Sequence, residues 1–259
     1  MKKIILIAGP CLAESFAILD ETATELVKLI ENRNIDFYFK SSYKKANRTS
    51  INSVSGFGDI VALEWMKHIS EKFNIKTITD VHTPEEVVLA SQYVDAIQIP
   101  AFLARQTELL LAAGNTGKKV NIKKGQFMAP EDMLKAADKI KSTGNNDILL
   151  TERGTFFGYH DLVVDFRSLI KMRESGLPII YDATHSVQQP SVGEISGGKP
   201  EFMLPLSLAA VSIGIDGIFF ETHPNPKEAL SDSATQLKLS DAGDYIDKII
   251  KLNNFISEL

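Results

Sequence analysis

A regular rhythm constrains this chain more than any other feature. Short apolar or β-branched runs recur from one end to the other, and most stop at a polar or charged residue. Strands are expected at residues 3–8, 36–40, 76–80, 96–99, 120–123, 148–151, 179–182 and 217–221. Several are nearly continuous in Ile, Val, Leu and Phe, the pattern of strands covered on both faces. Segments with helical spacing fill the gaps, at residues 14–32, 59–73, 84–92, 105–113, 130–142, 162–174, 205–213 and 241–256. Pro84 and Pro130 stand where a first-turn proline is welcome, and Gly114, Gly144 and Gly176 where helices should stop. Eight strands alternating with about eight helices in 259 residues is the count of a (β/α)8 TIM barrel, here an α/β fold of one domain spanning residues 1–259. A doubly wound open sheet has the same periodicity and stays as the structural alternative.

Composition narrows the function. With 28 basic and 33 acidic residues the net charge is −5, which argues against a nucleic-acid or anionic-membrane surface as the main business. One cysteine rules out an internal disulfide framework or a zinc finger, and fits a cytoplasmic protein. No apolar stretch approaches the roughly 18 to 20 residues of a membrane span. The run from Ile4 to Ala8 is stopped by Gly9-Pro10, so it reads as a buried strand rather than an export signal.

In such a barrel the chemistry lies at the carboxyl ends of the strands, so the residues just past each one matter most. They are Gly9-Pro10-Cys11, Lys40-Ser41-Ser42 with Lys45, Asp80, Gln98, Lys123-Lys124-Gly125-Gln126, Glu152-Arg153-Gly154, Asp182-Ala183-Thr184-His185 and Glu221-Thr222-His223-Pro224, with Asp232 on the last loop. A lone lysine at a strand end is ordinarily just solvated. Lys40, Lys45, Lys123 and Arg153 converging on one face instead imply a strongly anionic small ligand carrying phosphate and carboxylate. No Walker loop or Gly-x-Gly-x-x-Gly follows any strand, which makes nucleotides poor candidates. Cys11, His185, Glu221 and Asp232 form a second set, one thiolate, one imidazole and two carboxylates, suited to a divalent transition metal. Read singly, Cys11 is a small buried hydrophobe, His185 a hydrogen-bonded rim residue and Asp232 a turn residue, so spacing leaves the metal reading and the structural one level. Of the other histidines, His68 reads as a surface or packing residue, His82 as part of a helix cap and His160 as a loop residue. His223, two residues past Glu221, is expected to face away from the metal.

Four motifs taken together resemble the 3-deoxy-D-manno-octulosonate-8-phosphate synthase family: Lys45-Ala46-Asn47-Arg48-Thr49-Ser50, Val120-Asn121-Ile122-Lys123-Lys124-Gly125-Gln126-Phe127, Thr151-Glu152-Arg153-Gly154 and Glu221-Thr222-His223-Pro224. The resemblance runs from the first strand to the last helix. The sister family, 3-deoxy-D-arabino-heptulosonate-7-phosphate synthase, carries a Lys-Pro-Arg-Thr-Ser sequence at the first motif and is the nearest rival. A non-catalytic sugar-phosphate-binding barrel is the rival of another class.

The resemblance implies condensation of phosphoenolpyruvate with D-arabinose 5-phosphate by a cytoplasmic homotetramer in lipopolysaccharide biosynthesis. It places Lys40, Ser42, Lys45, Gln98, Lys123 and Arg153 on phosphoenolpyruvate, with Asp80 among them, and Asn47, Arg48 and Ser50 on the sugar phosphate. Arg105 is expected to reach a neighbouring subunit's site. Lys45 is the expected donor to the aldehyde oxygen. Cys11 at its position marks the metal-dependent class, with His185, Glu221 and Asp232 as the other ligands and Cys11, His185 and Asp232 counted with Lys45 as catalytic. The soft sulfur favours zinc or ferrous iron, with manganese, cobalt or cadmium acceptable.

Overall fold

The computed structural model describes residues 3–47, 54–156, 161–189 and 197–259. Eight parallel strands form its centre: β1 (Ile4–Gly9), β2 (Ile35–Lys40), β3 (Lys76–Asp80), β4 (Ala96–Ile99), β5 (Lys119–Lys123), β6 (Ile148–Glu152), β7 (Ile179–Asp182) and β8 (Gly217–His223). Each pairs with the next in chain order. β8 then returns to β1 in a register running from Ile5↔Gly217 to Gly9↔Glu221. That last pairing closes the sheet, so the fold is a (β/α)8 barrel and the open-sheet alternative falls.

Strand alternation divides the side chains between two cores. Ile7, Tyr38, Ile78, Ala96, Leu149, Ile180 and Phe219 fill the barrel interior. Their sequence neighbours, such as Leu6, Ala8, Phe37, Phe39, Ile218 and Phe220, face outward into the larger core beneath the helices. The helices are α1 (Phe16–Ile30), α2 (Asp59–Phe73), α3 (Pro84–Ala90), α4 (Thr107–Asn115), α5 (Asp132–Lys141), α6 (Arg167–Arg173), α7 (Met203–Ile213) and α8 (Ala242–Ile256). Ser15 caps α1 by accepting the Ile18 N–H, and Thr83 caps α3 by accepting that of Glu86, with Pro84 in the first turn. None of the described helices is long and apolar enough to cross a membrane.

Local propensity misleads in three places. The helix expected over residues 162–174 begins only at Arg167, because Leu162–Val163 pair antiparallel with Thr155–Phe156 as a small hairpin above the barrel. The Leu-Val-Val run meets a partner strand there, and tertiary pairing overrides its apolar spacing. Residues 101–103 form a 3-10 turn, so Arg105 lies in a turn before α4 rather than within it. Gly114 lies inside α4, where the Thr143 side chain packs on its bare Cα, and Pro130 precedes α5 by two residues. The remaining elements shift by a few residues at their ends.

One close contact fixes the start of the site. A Cβ on Gly9 would lie 2.1 Å from the Lys40 carbonyl oxygen. This approach lets Ser42 donate its N–H to the Cys11 carbonyl at 3.2 Å, stitching the end of β1 to that of β2. Gly9→Ala is therefore expected to destabilise the barrel by about 1–3 kcal/mol through overpacking. Urea unfolding checks this; an unchanged midpoint would mean that the two strand ends are free to part.

Candidate active site

The inward side chains at the strand ends form one connected polar layer. Lys40 Nζ, buried at the end of β2, lies 2.9 Å from Glu221 Oε1, 3.1 Å from Ser42 Oγ and 3.7 Å from an Asp80 oxygen. Burial alone would lower the lysine's pKa, but Glu221 foremost, helped by Asp80, holds it above its ordinary value. Ser42 and Gln98 both donate to Asp80. Asn121 donates to Gln98 at 2.9 Å, and Thr151 to Asn121 at 2.6 Å. The belt thus runs unbroken across β3, β4, β5 and β6.

A second group lies across the barrel. Lys123 Nζ sits 2.6 Å from Asp182 Oδ2 and 3.8 Å above the Phe219 ring centroid, while Lys40 is 5.5 Å from the same centroid. Phe219, the uppermost interior apolar residue of β8, thus floors the pocket beneath two cations. Burial pushes the Lys123 pKa down, with Asp182 opposing. Asp182 also accepts the backbone N–H of His185 at 2.9 Å and faces its Nδ1 at 2.9 Å. Burial would raise the Asp182 carboxyl; His185 and then Lys123 hold it well below the usual carboxylate range instead. Lys123 Nζ also approaches His185 Nδ1, at 3.2 Å, and the other ring nitrogen, Nε2, stands 3.8 Å from both Glu221 Oε1 and Asp232 Oδ2.

Cys11, Glu221 and Asp232 offer ligand atoms that all lie within 4.8 Å of one another, and His185 stands beside them. The Cys11 thiol donates to Asp232 Oδ2 at 3.0 Å. Burial first, then Asp232 and Glu221, push its pKa well above the ordinary value, so a nearby cation is what would favour the thiolate. Glu221 Oε2 is buried without a hydrogen-bond partner among the described residues. An orphaned carboxylate oxygen beside a sulfur, a second carboxylate and an oriented imidazole fits a divalent metal. Asp232 has φ 48°, a left-handed turn conformation tolerated by Asp, and Gln188 donates to its Oδ1 at 2.8 Å.

Arg153 is buried, donates through Nη2 to Gln188 at 3.2 Å, and leaves Nη1 without a hydrogen-bond partner among the described residues. Lys45 enters from the loop after β2. Burial opposes its charge, yet Cys11, Glu221, Asp80 and Asp232 hold its pKa above the ordinary lysine value. Asn47 is exposed on that loop, and Arg105 is exposed in its turn, outside the cluster. Arg48, Ser50 and His160 lie outside the described residues. His68 packs edge-on against Phe16, and His82 binds Glu86 beside the α3 cap, as their positions predict. His223 keeps out of the cluster for a reason other than the expected one. Period two puts it on the side of Glu221, but its Nε2 faces Glu14 at 3.9 Å and its Nδ1 accepts the Asn225 N–H.

Sequence reading missed Asn121, Asp182, Gln188 and Gln236 as site residues. Gln236 accepts the Cys11 N–H at 3.2 Å. Asp182 was legible as the strand-seven end residue three positions before His185, the spacing of a carboxylate that folds back on an imidazole. Gln188 and Gln236 come from loops and leave no such signal.

The mouth of a closed parallel barrel that gathers Lys40, Lys123 and Arg153 beside a Cys11–Glu221–Asp232 cluster able to hold a metal ion has the make-up of a barrel enzyme's site. Over residues 1–257 the chain matches the DAHP synthetase I family, and it belongs to that family. Among its relatives are proteins named 2-dehydro-3-deoxyphosphooctonate aldolase. One from Campylobacter jejuni is 47% identical over 100% of this chain and 99% of its own. Another, from Fusobacterium nucleatum, is 46% identical over 96% and 92%. A third, from Nitratidesulfovibrio vulgaris, is 49% identical over 88% and 84%.

Asp80 makes the layer sensitive to acid. Burial would raise its carboxyl, but Lys40, Lys45 and Lys123 hold it well below the ordinary range. A depressed carboxyl contributes stability that is full above the unfolded value of about 3.9 and is lost as pH falls below it. The deficit of Asp80→Asn against the parent should therefore be full at about pH 6 and shrink towards about pH 2.5. Urea unfolding at several pH values reads this; a deficit independent of pH would detach Asp80 from the lysines.

Proposed function

We propose that residues 1–259 form a single catalytic barrel that joins phosphoenolpyruvate to D-arabinose 5-phosphate and water. The products are 3-deoxy-D-manno-octulosonate 8-phosphate and inorganic phosphate, a step towards the octulosonate sugar of lipopolysaccharide. The observation that carries this reading is the buried Arg153, whose Nη1 has no hydrogen-bond partner among the described residues, in the same mouth as Lys40, Lys123, Cys11, His185, Glu221 and Asp232. It pairs an anion-binding side with a metal-ligating side in one pocket. The relatives' shared name supports it.

In this reading Lys40, Ser42, Gln98, Lys123 and Arg153 hold the phosphate and carboxylate of phosphoenolpyruvate, with Asp80 fixing Lys40, Ser42 and Gln98. Phosphoenolpyruvate is a weak carbon nucleophile at C3, so holding that carbon against the aldehyde supplies much of the rate. Lys45, kept protonated by its acidic neighbours, donates to the aldehyde oxygen as negative charge builds there. Positive charge at C2 is answered by the nearby carboxylates, water adds at that carbon, and the resulting hemiketal phosphate releases phosphate. Cys11, His185, Glu221 and Asp232 would hold a divalent ion, zinc or ferrous iron before manganese, cobalt or cadmium, which supplies Lewis acidity for the aldose or the water.

Asn47, with Arg48 and Ser50, takes the sugar phosphate. The heptulosonate synthase reading, with erythrose 4-phosphate as acceptor, shares the family's description; the Ala46-Asn47 pair favours the pentose. A cytoplasmic homotetramer goes with the proposal. Its supports are Arg105, exposed and clear of its own chain's pocket, and a lone buried thiol suited to a reducing compartment.

Phosphate release measured with phosphoenolpyruvate and each aldose should be fast with arabinose 5-phosphate and slow with erythrose 4-phosphate. Chelation should abolish it and added divalent metal restore it. Full turnover in protein stripped of metal, verified by elemental analysis, would remove the ion from the mechanism. Lys45→Met should lower kcat by about 10²- to 10⁴-fold with little change in the KM for phosphoenolpyruvate. A change confined to KM would make Lys45 a binding group only.

A further inference from the structure

Lys124 and Glu152 are buried to 1% exposure and face away from the pocket, yet each is the chain neighbour of a pocket cation, Lys123 or Arg153. Glu152 Oε1 accepts two successive backbone N–H groups, from Arg153 at 3.1 Å and Gly154 at 2.7 Å. Its other oxygen accepts the Ser168 hydroxyl from α6 at 2.7 Å. Gly154, at φ 93°, turns the chain so that both N–H groups reach one oxygen. Lys124 Nζ lies 3.6 Å from the same Glu152 oxygen and reaches the Gly154 carbonyl at 3.5 Å. It also reaches the Gly125 and Met128 carbonyls, each at 3.4 Å, in the loop after β5. One ion pair thus ties together the two loops that begin at Lys123 and Arg153.

A buried ion pair is weak as a stabiliser, because its desolvation offsets its attraction, whereas apolar residues fill such a place without that cost. Where the hydrogen bonds go says more. The carboxylate engages the backbone of Arg153 itself, which sets the direction in which the guanidinium leaves β6. We infer that Glu152, linked to β5 through Lys124, is a positioning residue that aims Arg153 at the phosphate of phosphoenolpyruvate; this rests on the substrate assignment proposed above. It touches no substrate. Its effect is a fixed distance between two cations that must grip one anion.

Steady-state kinetics on Glu152→Ala and Glu152→Gln test the inference, with inorganic phosphate as competitive probe of the Arg153 side. Both variants lose the charge, but only Gln keeps an oxygen for the two N–H groups. Glu152→Ala should raise the KM for phosphoenolpyruvate and the inhibition constant of phosphate together by about tenfold, and leave the KM for arabinose 5-phosphate within about twofold. Glu152→Gln should recover most of that loss. If Glu152→Ala does not fold, Ser168→Ala, which keeps every charge and removes one hydroxyl from the outer carboxylate oxygen and from the Asp165 carbonyl, should show the same selective rise at about threefold. Arg153→Ala is the control. If it raises the KM for phosphoenolpyruvate while the folded Glu152 or Ser168 variants do not, the positioning role is overturned and the substrate assignment stands. If Arg153→Ala leaves that KM unchanged, the assignment fails and takes the inference with it. An equal rise in both KM values, or a Gln variant as impaired as Ala, would also overturn it by marking a general structural defect.

Discussion

The barrel mouth depends on opposite charges meeting out of water. Lys40 and Glu221 are both buried, and neither would hold its charge there alone. Asp182 does the same for Lys123 across the pocket, and Asp80 serves Lys40 from the strand beside it. These contacts come from different strands, and the Lys40–Glu221 pair, which bridges β2 and β8 over the seam, exists only once the barrel has closed. The ion pairs are therefore a product of the fold and at the same time a strict condition on how its strand ends are arranged.

The same pairing separates two kinds of cation. Lys40 and Lys123 are engaged by carboxylates, whereas Arg153 donates to the Gln188 amide and its Nη1 has no hydrogen-bond partner among the described residues. The pocket is then tied down where its lysines sit and keeps a spare guanidinium donor beside Gln188. In the Cys11–Glu221–Asp232 cluster the matching spare group is Glu221 Oε2, an acceptor without a hydrogen-bond partner among the described residues. A pocket that keeps a spare donor on a cation and a spare acceptor on an anion is polarised before anything binds. Such preorganisation is what reactions that develop charge require.

Much of this was legible in the sequence because a parallel barrel turns strand order into spatial order. Once the strands from Ile4 to His223 are counted, Cys11, Lys40, Asp80, Gln98, Lys123, Arg153 and Glu221 must share one end. The rhythm also located the helices, apart from the stretch near Leu162, where a short hairpin displaced the first turns of α6. Counting cations was less informative than it looked. Lys40, Lys45, Lys123 and Arg153 suggested a strongly positive mouth, whereas Asp80, Asp182, Glu221 and Asp232 stand among them. Charge pairing is a property of side-chain direction, which a linear sequence does not carry. For the same reason Gln188 and Gln236, delivered by loops, became visible only through their bonds to Asp232 and the Cys11 amide.

The belt from Thr151 through Asn121 and Gln98 to Asp80 has a direction. Every donor in it points the same way round the barrel, and the chain of bonds terminates on a carboxylate. Aligned amide and hydroxyl dipoles polarise one another when a charge anchors the row. Half of the barrel rim thus behaves as one oriented electret, and turning over any single amide within it would set two like poles face to face.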